Sequence, residues 1–81
     1  MKFVLSERAV RDYDSLSSTL QASVDKQLAF LLRTLRHPSL RAKKYNESLG
    51  IWQGRITRDY RFYFRIEGDT YQIISITKHP K

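Results

Sequence analysis

The chain of 81 residues has no cysteine, so neither disulfides nor thiolate-held metals can stabilise it. Its two histidines, His37 and His79, lie far apart with no carboxylate pair at ligand spacing beside them. No metal or other cofactor is expected. No apolar run approaches the length that spans a bilayer. The opening Met1-Lys2-Phe3-Val4-Leu5-Ser6-Glu7 is charged too soon for a secretory signal, which predicts a cytoplasmic protein without membrane contact. There is no internal repeat, low-complexity tract or linker. The length fits one small domain, residues 1–81, whose marginal core would gain stability from a bound partner.

Acidic residues are the other scarcity: eight Asp and Glu stand against fifteen Lys and Arg, for a net charge of +7. Residues 1–32 are balanced, with four basic and four acidic side chains. Residues 33–81 hold eleven basic and four acidic side chains, so the whole surplus lies in the second half. Segregated positive charge points to nucleic acid, an acidic protein, or both in turn. It gives affinity without naming the partner.

What the second half does contain is β-pattern. Ile51–Thr57, Arg61–Ile66 and Thr70–His79 are rich in β-branched and aromatic residues, with short polar turns between them, and predict a three-stranded meander. Strand period sorts the faces. Trp52, Gly54 and Ile56 fall together, as do Phe62, Phe64 and Ile66, and in the last run Gln72, Ile74 and Ile76. The opposite face would then carry Arg55, Arg61, Tyr63, Arg65 and His79, with Tyr71, Ile73, Ser75 and Thr77 on the same side of the last strand. That sorting needs three-residue loops at Arg58–Tyr60 and Glu67–Asp69, or two-residue turns with a bulge. Arg and Tyr on a solvated sheet face are ordinary, so this face alone does not define a site.

The first half supplies helices. Lys2–Leu5 predicts a strand, and Ser6 an N-cap for a helix carrying Ala9, Val10, Tyr13 and Leu16 at helical spacing. Ser18-Thr19-Leu20-Gln21 fits a capping box for a second helix. Its stripe is Leu20, Val24, Leu28, Leu31 and Leu35, widened by Ala29, Phe30 and Leu32. His37-Pro38 is the expected end, with His37 meeting the last carbonyls. The basic link Pro38–Glu47 follows, carrying Arg41, Lys43, Lys44 and Tyr45, with Ala42–Tyr45 a candidate strand and Ser48-Leu49-Gly50 a turn. The order β-α-α-β-β-β-β gives an α+β fold, with two helices on one face of a mainly antiparallel sheet.

This order, with Leu49-Gly50-Ile51-Trp52-Gln53-Gly54-Arg55-Ile56-Thr57-Arg58-Asp59-Tyr60-Arg61-Phe62-Tyr63-Phe64 and the closing Lys78-His79-Pro80, resembles the RelE/ParE superfamily of type II toxins. The wording is most similar to RelE/YoeB-like mRNA interferases, and His37-Pro38…Lys43-Lys44 is similar to a stretch the family carries before its main strands. The resemblance implies a toxin that cuts messenger RNA in the ribosomal A site without a metal. Arg55 would take the place of a catalytic arginine, His79 that of the catalytic histidine, and Arg61 that of a basic residue near the scissile phosphate. Arg41, Lys43, Lys44, Arg58, Tyr60, Tyr63, Arg65 and Lys78 would hold RNA. The implied partners are a cognate antitoxin, the ribosome with mRNA in its A site, and operator DNA only through the antitoxin.

Two positions depart from that pattern. Arg41-Ala42-Lys43-Lys44 stands where YoeB-like enzymes carry a glutamate base, so Lys43 or Lys44 would have to substitute, with Glu47 the nearest carboxylate. Pro80 stands where an aromatic is expected, leaving Tyr60 or Tyr63 as the base-stacking side chain. Arginine suits a charged phosphorane, and histidine suits proton transfer as acid or base. Two other readings stay open: a ParE-like inhibitor of DNA gyrase acting by binding, and a degenerate toxin-fold protein serving as an antitoxin-bound co-regulator.

Overall fold

The computed structural model describes residues 1–79. Strand β1 is Lys2–Leu5, after which the Ser6 side chain accepts the Ala9 amide and starts helix α1, Glu7–Asp14. Helix α2 is Ser18–Arg33, and a single 3-10 turn, Pro38–Leu40, leads into β2, Lys43–Asn46. Strands β3 (Ile51–Arg55), β4 (Tyr60–Glu67) and β5 (Thr70–Lys78) complete the expected β-α-α-β-β-β-β order. They form one five-stranded sheet ordered β1-β5-β4-β3-β2, in which only the β1–β5 pair is parallel. No helix among the described residues is long and apolar enough to cross a membrane.

The core lies between the helices and one sheet face. Ala9, Val24, Leu28, Leu31 and Leu40 meet Ile56, Phe62, Phe64, Tyr71, Ile73 and Ile76. In β3 and β4 the alternation is as expected: Trp52 opposes Phe64 and Gly54 opposes Phe62 on the core side, while Gln53 opposes Tyr63 and Arg55 opposes Arg61 on the bare side.

Strand β5 corrects the sequence reading. Tyr63 opposes Ser75 but Phe64 opposes Ile73, so Ile74 is the extra residue of a bulge. An extra residue reverses the faces on one side of it. Tyr71 and Ile73 therefore enter the core with Ile76, while Ile74 turns to the bare face beside Ser75 and Thr77. Both hairpins use the shorter of the two anticipated connections. Gly68-Asp69 joins Glu67 to Thr70 with Gly68 left-handed. Arg58-Asp59 forms the other turn, where the amides of Ile56 and Thr57 both donate to Tyr60 O, a two-against-one bulge.

The helices differ in detail from expectation. Ser17, not Ser18, caps α2 through the Leu20 amide. Gln21 is drawn instead to the carbonyl of Tyr13 at the end of α1, donating from Nε2 at 2.9 Å beside the Leu16 amide, which donates to the same oxygen at 3.1 Å. Helix α2 ends at Arg33 because the Thr34 hydroxyl accepts the Arg36 amide at 3.2 Å, offering the backbone a turn in place of another helical residue. His37 consequently lies outside α2. It stacks on Phe30 with ring centroids 3.8 Å apart, and its Nδ1 accepts the Ser39 amide. Val10 of α1 is exposed, and so are Ala29 and Leu32 of α2, whose buried stripe is therefore narrower than its composition suggests. The Tyr13 hydroxyl donates to Asp25 Oδ1 at 2.9 Å, and this hydrogen bond chiefly raises the tyrosine pKa above its ordinary value.

Beyond Leu5 the outer edge of β5 has no strand partner, and α1 takes over. Ser6 N donates to Ile73 O, Ser6 Oγ donates to Ile74 O, and Ile76 N donates to Asp12 Oδ2 at 3.0 Å. These bonds carry β5 straight on toward His79. Gly54 sets the spacing on the other side, because a Cβ there would overlap ring atoms Cε1 and Cζ of the fully buried Phe62. Gly54→Ala is expected to destabilise the fold by about 1–3 kcal/mol through overpacking, read as a lower urea midpoint. An unchanged midpoint would mean that the Phe62 ring moves freely.

Candidate functional site

The bare sheet face carries a cleft of about 200 Å³ lined by Arg41, Lys43, Gln53, Arg55, Arg61 and His79. Each arrives from a different feature of the chain. Arg55 and Arg61 are cross-strand partners, and Lys43 pairs with Gln53 at the outer edge. His79 follows β5, its amide donating to Asp59 O at 2.6 Å across the hairpin tip. Arg41 closes the 3-10 turn in a left-handed conformation, with φ 46° and ψ 42°. For a non-glycine residue that geometry costs on the order of 1 kcal/mol.

Among the described residues no carboxylate lines this cleft. Among the described residues the one ion pair is Arg8–Asp12 at 3.7 Å, on α1. Arg55, Arg41 and Lys43 have no side-chain hydrogen bond to another described residue. Arg61 is held differently. Its Nη1 donates to the carbonyls of Thr57 at 2.6 Å, Tyr60 at 3.0 Å and Arg58 at 3.1 Å, so it ties down the hairpin tip while its guanidinium borders the cleft. His79 Nδ1 is buried without a partner among the described residues.

The expected site residues thus divide. Arg55, Arg61, His79, Arg41 and Lys43 meet at the cleft. Lys44 does not: it pairs with Trp52 on the core side, and its Nζ sits 5.2 Å from the Trp52 ring centroid. Tyr60 packs against the core, and Arg58 is exposed at the hairpin tip. Arg65 donates from Nε to Leu49 O at 3.0 Å, at the far end of the face. Tyr63 and Lys78 line a neighbouring groove, and Tyr63 is tied to the cleft by a 3.1 Å hydrogen bond from Gln53 Nε2. Glu47 is exposed beyond β2 and does not line the cleft, and Pro80 lies outside the described residues. No group of three or more His, Asp or Glu side chains among the described residues could hold a metal ion.

Residues 3–80 match the family described as the ParE toxin of type II toxin–antitoxin system, parDE. The chain belongs to this family. It shares its fold with a YoeB/ParE toxin from Agrobacterium tumefaciens, at 21% identity and TM-score 0.83 over 99% of this chain and 100% of that one. The YoeB dimer from Staphylococcus aureus is similar at 18% identity and TM-score 0.81, covering 99% and 98% of the two chains. The intact E. coli RelBE toxin–antitoxin complex is similar at 19% identity and TM-score 0.73, covering 98% and 96%. Compared with curated proteins by sequence, the chain matches none. It is a type II toxin with the RelE/YoeB fold.

Sequence reasoning missed Gln27, which lies only 2% exposed within the apolar stripe of α2. Its Nε2 donates to Arg55 O at 2.7 Å and to Ser39 O at 3.1 Å, and its Oε1 accepts from Ser39 Oγ at 3.0 Å. One helical side chain thus fixes the backbone of Arg55 and the turn that presents Arg41. A signal was available, since Gln27 interrupts the spacing of Val24, Leu28 and Leu31 where an apolar residue belongs. Gln27→Leu leaves these buried groups unpaired and is expected to cost about 1–3 kcal/mol in urea denaturation. An unchanged stability would mean that water reaches both carbonyls.

Proposed function

We infer that this toxin is a ribosome-dependent endoribonuclease that cuts messenger RNA in the A site and so inhibits translation. What supports the reading is the convergence of His79 with Arg55, Arg61, Lys43 and Arg41 around one cleft. In the reaction, the 2′-hydroxyl loses its proton and its oxygen bonds to the adjacent phosphorus. The bond from phosphorus to the 5′-oxygen breaks, and that oxygen takes up a proton. Arg55, whose side chain has no hydrogen-bond partner among the described residues, meets the equatorial oxygens of the phosphorane, where planar donors that stay charged are most effective. His79 moves a proton through Nε2, either from the attacking hydroxyl or to the leaving oxygen. Lys43 is the lysine available to the reacting groups, since Lys44 is held over Trp52.

A cognate antitoxin would neutralise the bare face with an acidic segment; the existence of the E. coli RelBE toxin–antitoxin complex supports an antitoxin as the partner. Operator DNA would be reached through that antitoxin, and the site of action is cytoplasmic, where ribosomes are.

A second reading is inhibition of DNA gyrase by binding alone. The family match to ParE favours it, as does the lack of a carboxylate base in the cleft among the described residues. The two readings separate on ribosomes programmed with a defined messenger, with RNA ends mapped after adding the toxin. The ribonuclease gives new ends in the A-site codon. His79→Ala abolishes them while antitoxin binding is kept, and Arg55→Ala raises the barrier by roughly 3 kcal/mol, as loss of an oxyanion donor does. Equal cutting by His79→Ala would sink the histidine assignment. No cutting by folded wild type, with gyrase supercoiling blocked, would establish the binding toxin instead.

A further inference from the structure

Two of the sheet's bulges, one in β2 and one in β5, each supply a side chain to one groove on the bare face. In β2, Lys44 opposes Trp52 and Asn46 opposes Ile51, leaving Tyr45 as the extra residue. In β5 the extra residue is Ile74. With Ile51 and Tyr63 they line a groove of about 330 Å³, whose lining also includes the cations Arg8 and Lys78 and no carboxylate. Bulges re-aim side chains, and they gather beside functional sites.

Tyr45 is 60% exposed although it is a large aromatic on an edge strand. Its ring meets Tyr63 edge-on, with centroids 4.9 Å apart and planes at 64°. That arrangement holds the Tyr45 ring in place while leaving most of its surface open. Tyr63 is fixed in turn by the hydrogen bond from Gln53, a residue of the neighbouring cleft. Lys78 and His79 join the groove and the cleft a second time along the chain.

We propose that Tyr45, steadied by Tyr63, is a stacking platform for an unpaired nucleobase adjoining the phosphate held in the cleft. The proposal rests on reading that cleft as a phosphate site, and it makes the ligand a single-stranded polynucleotide. Cations track the backbone of such a ligand, and an exposed ring takes the flat face of any base. An acidic polypeptide would also answer to the cations. An aromatic pair joined to the cleft by one hydrogen bond answers to a base attached to a bound phosphate.

The test titrates the full-length toxin with a fluorescein-labelled single-stranded oligoribonucleotide whose 2′-O-methyl groups prevent cutting. Tyr45→Leu keeps apolar bulk and removes the ring, and it should weaken binding about 5- to 100-fold. Tyr45→Phe should restore it. The salt dependence should keep its slope in Tyr45→Leu, whereas Lys43→Ala should lower the slope by about 0.7 as one phosphate contact is lost. An oligonucleotide with a single abasic position at the stacked base should bind wild type about as weakly as the intact one binds Tyr45→Leu. It should suffer no further loss on that variant. Wild-type binding unaffected by Tyr45→Leu, or no binding of the oligonucleotide by wild type, overturns the platform. Loss of antitoxin binding in Tyr45→Leu with oligonucleotide binding intact assigns the groove to a polypeptide and overturns it equally. Because the probe cannot be cut, a toxin that binds it through Tyr45 yet leaves ribosomal messenger whole would refute the ribonuclease and uphold the platform.

Discussion

The register of β3 on β4 is the constraint on which the rest of the molecule depends. One alignment puts Trp52 against Phe64 and Gly54 against Phe62 beneath the helices, and in the same step puts Arg55 beside Arg61 on the other face. A slip of one residue would exchange the two sets. The apolar pairs hold this register, because Phe62 and Phe64 are fully buried and the missing side chain of Gly54 is the space that the Phe62 ring occupies. The arginine pair opposes it, since like charges directly across a sheet repel. Arg61 relieves that opposition by spreading its charge over three carbonyls of its own hairpin. The core therefore sustains a concentration of positive charge that the bare face would not assemble by itself.

The helical layer does more than cover the core. Gln27 reaches through it to the backbone of Arg55 and Ser39, and Asp12 and Ser6 fasten the outer edge of β5. These polar anchors act on the backbone and leave the side chains of Arg41, Lys43 and Arg55 without hydrogen bonds to other described residues. Arg41 carries the clearest local cost, a left-handed backbone at a non-glycine residue, and it borders the cleft. A chain can keep such strain where surrounding structure over-determines it. Here the Ser39–Gln27 hydrogen bonds stand two residues away.

Charge and aromatic surface then share one face. In the cleft Arg41, Lys43 and Arg55 have no side-chain hydrogen bond among the described residues, and the adjoining groove holds Tyr45 and Ile74, which the bulges leave outside the regular ladder. Among the described residues no ion pair involves a side chain of the cleft, which leaves its charges available to a partner of opposite sign.

The sequence by itself determined the element order, the sorting of β3 and β4, and the segregation of charge into the second half. These are local properties: a period of two, a cap at Ser6 and a count of side chains need no knowledge of what packs where. It also carried the family, through the Leu49–Phe64 stretch. Other features were set by contacts between distant segments, and there local reasoning failed. The face of Ile73 and Ile74 depends on a bulge fixed against β4, and the end of α2 depends on a threonine turn that competes with the helix. The choice of Lys43 over Lys44 for the cleft depends on which residue of β3 each one opposes. Gln27 reads as a flaw in an apolar stripe until the carbonyls of Arg55 and Ser39 are brought to it. Only the tertiary structure decided that, because a buried polar side chain takes its meaning from partners that the chain supplies from 12 and 28 residues away.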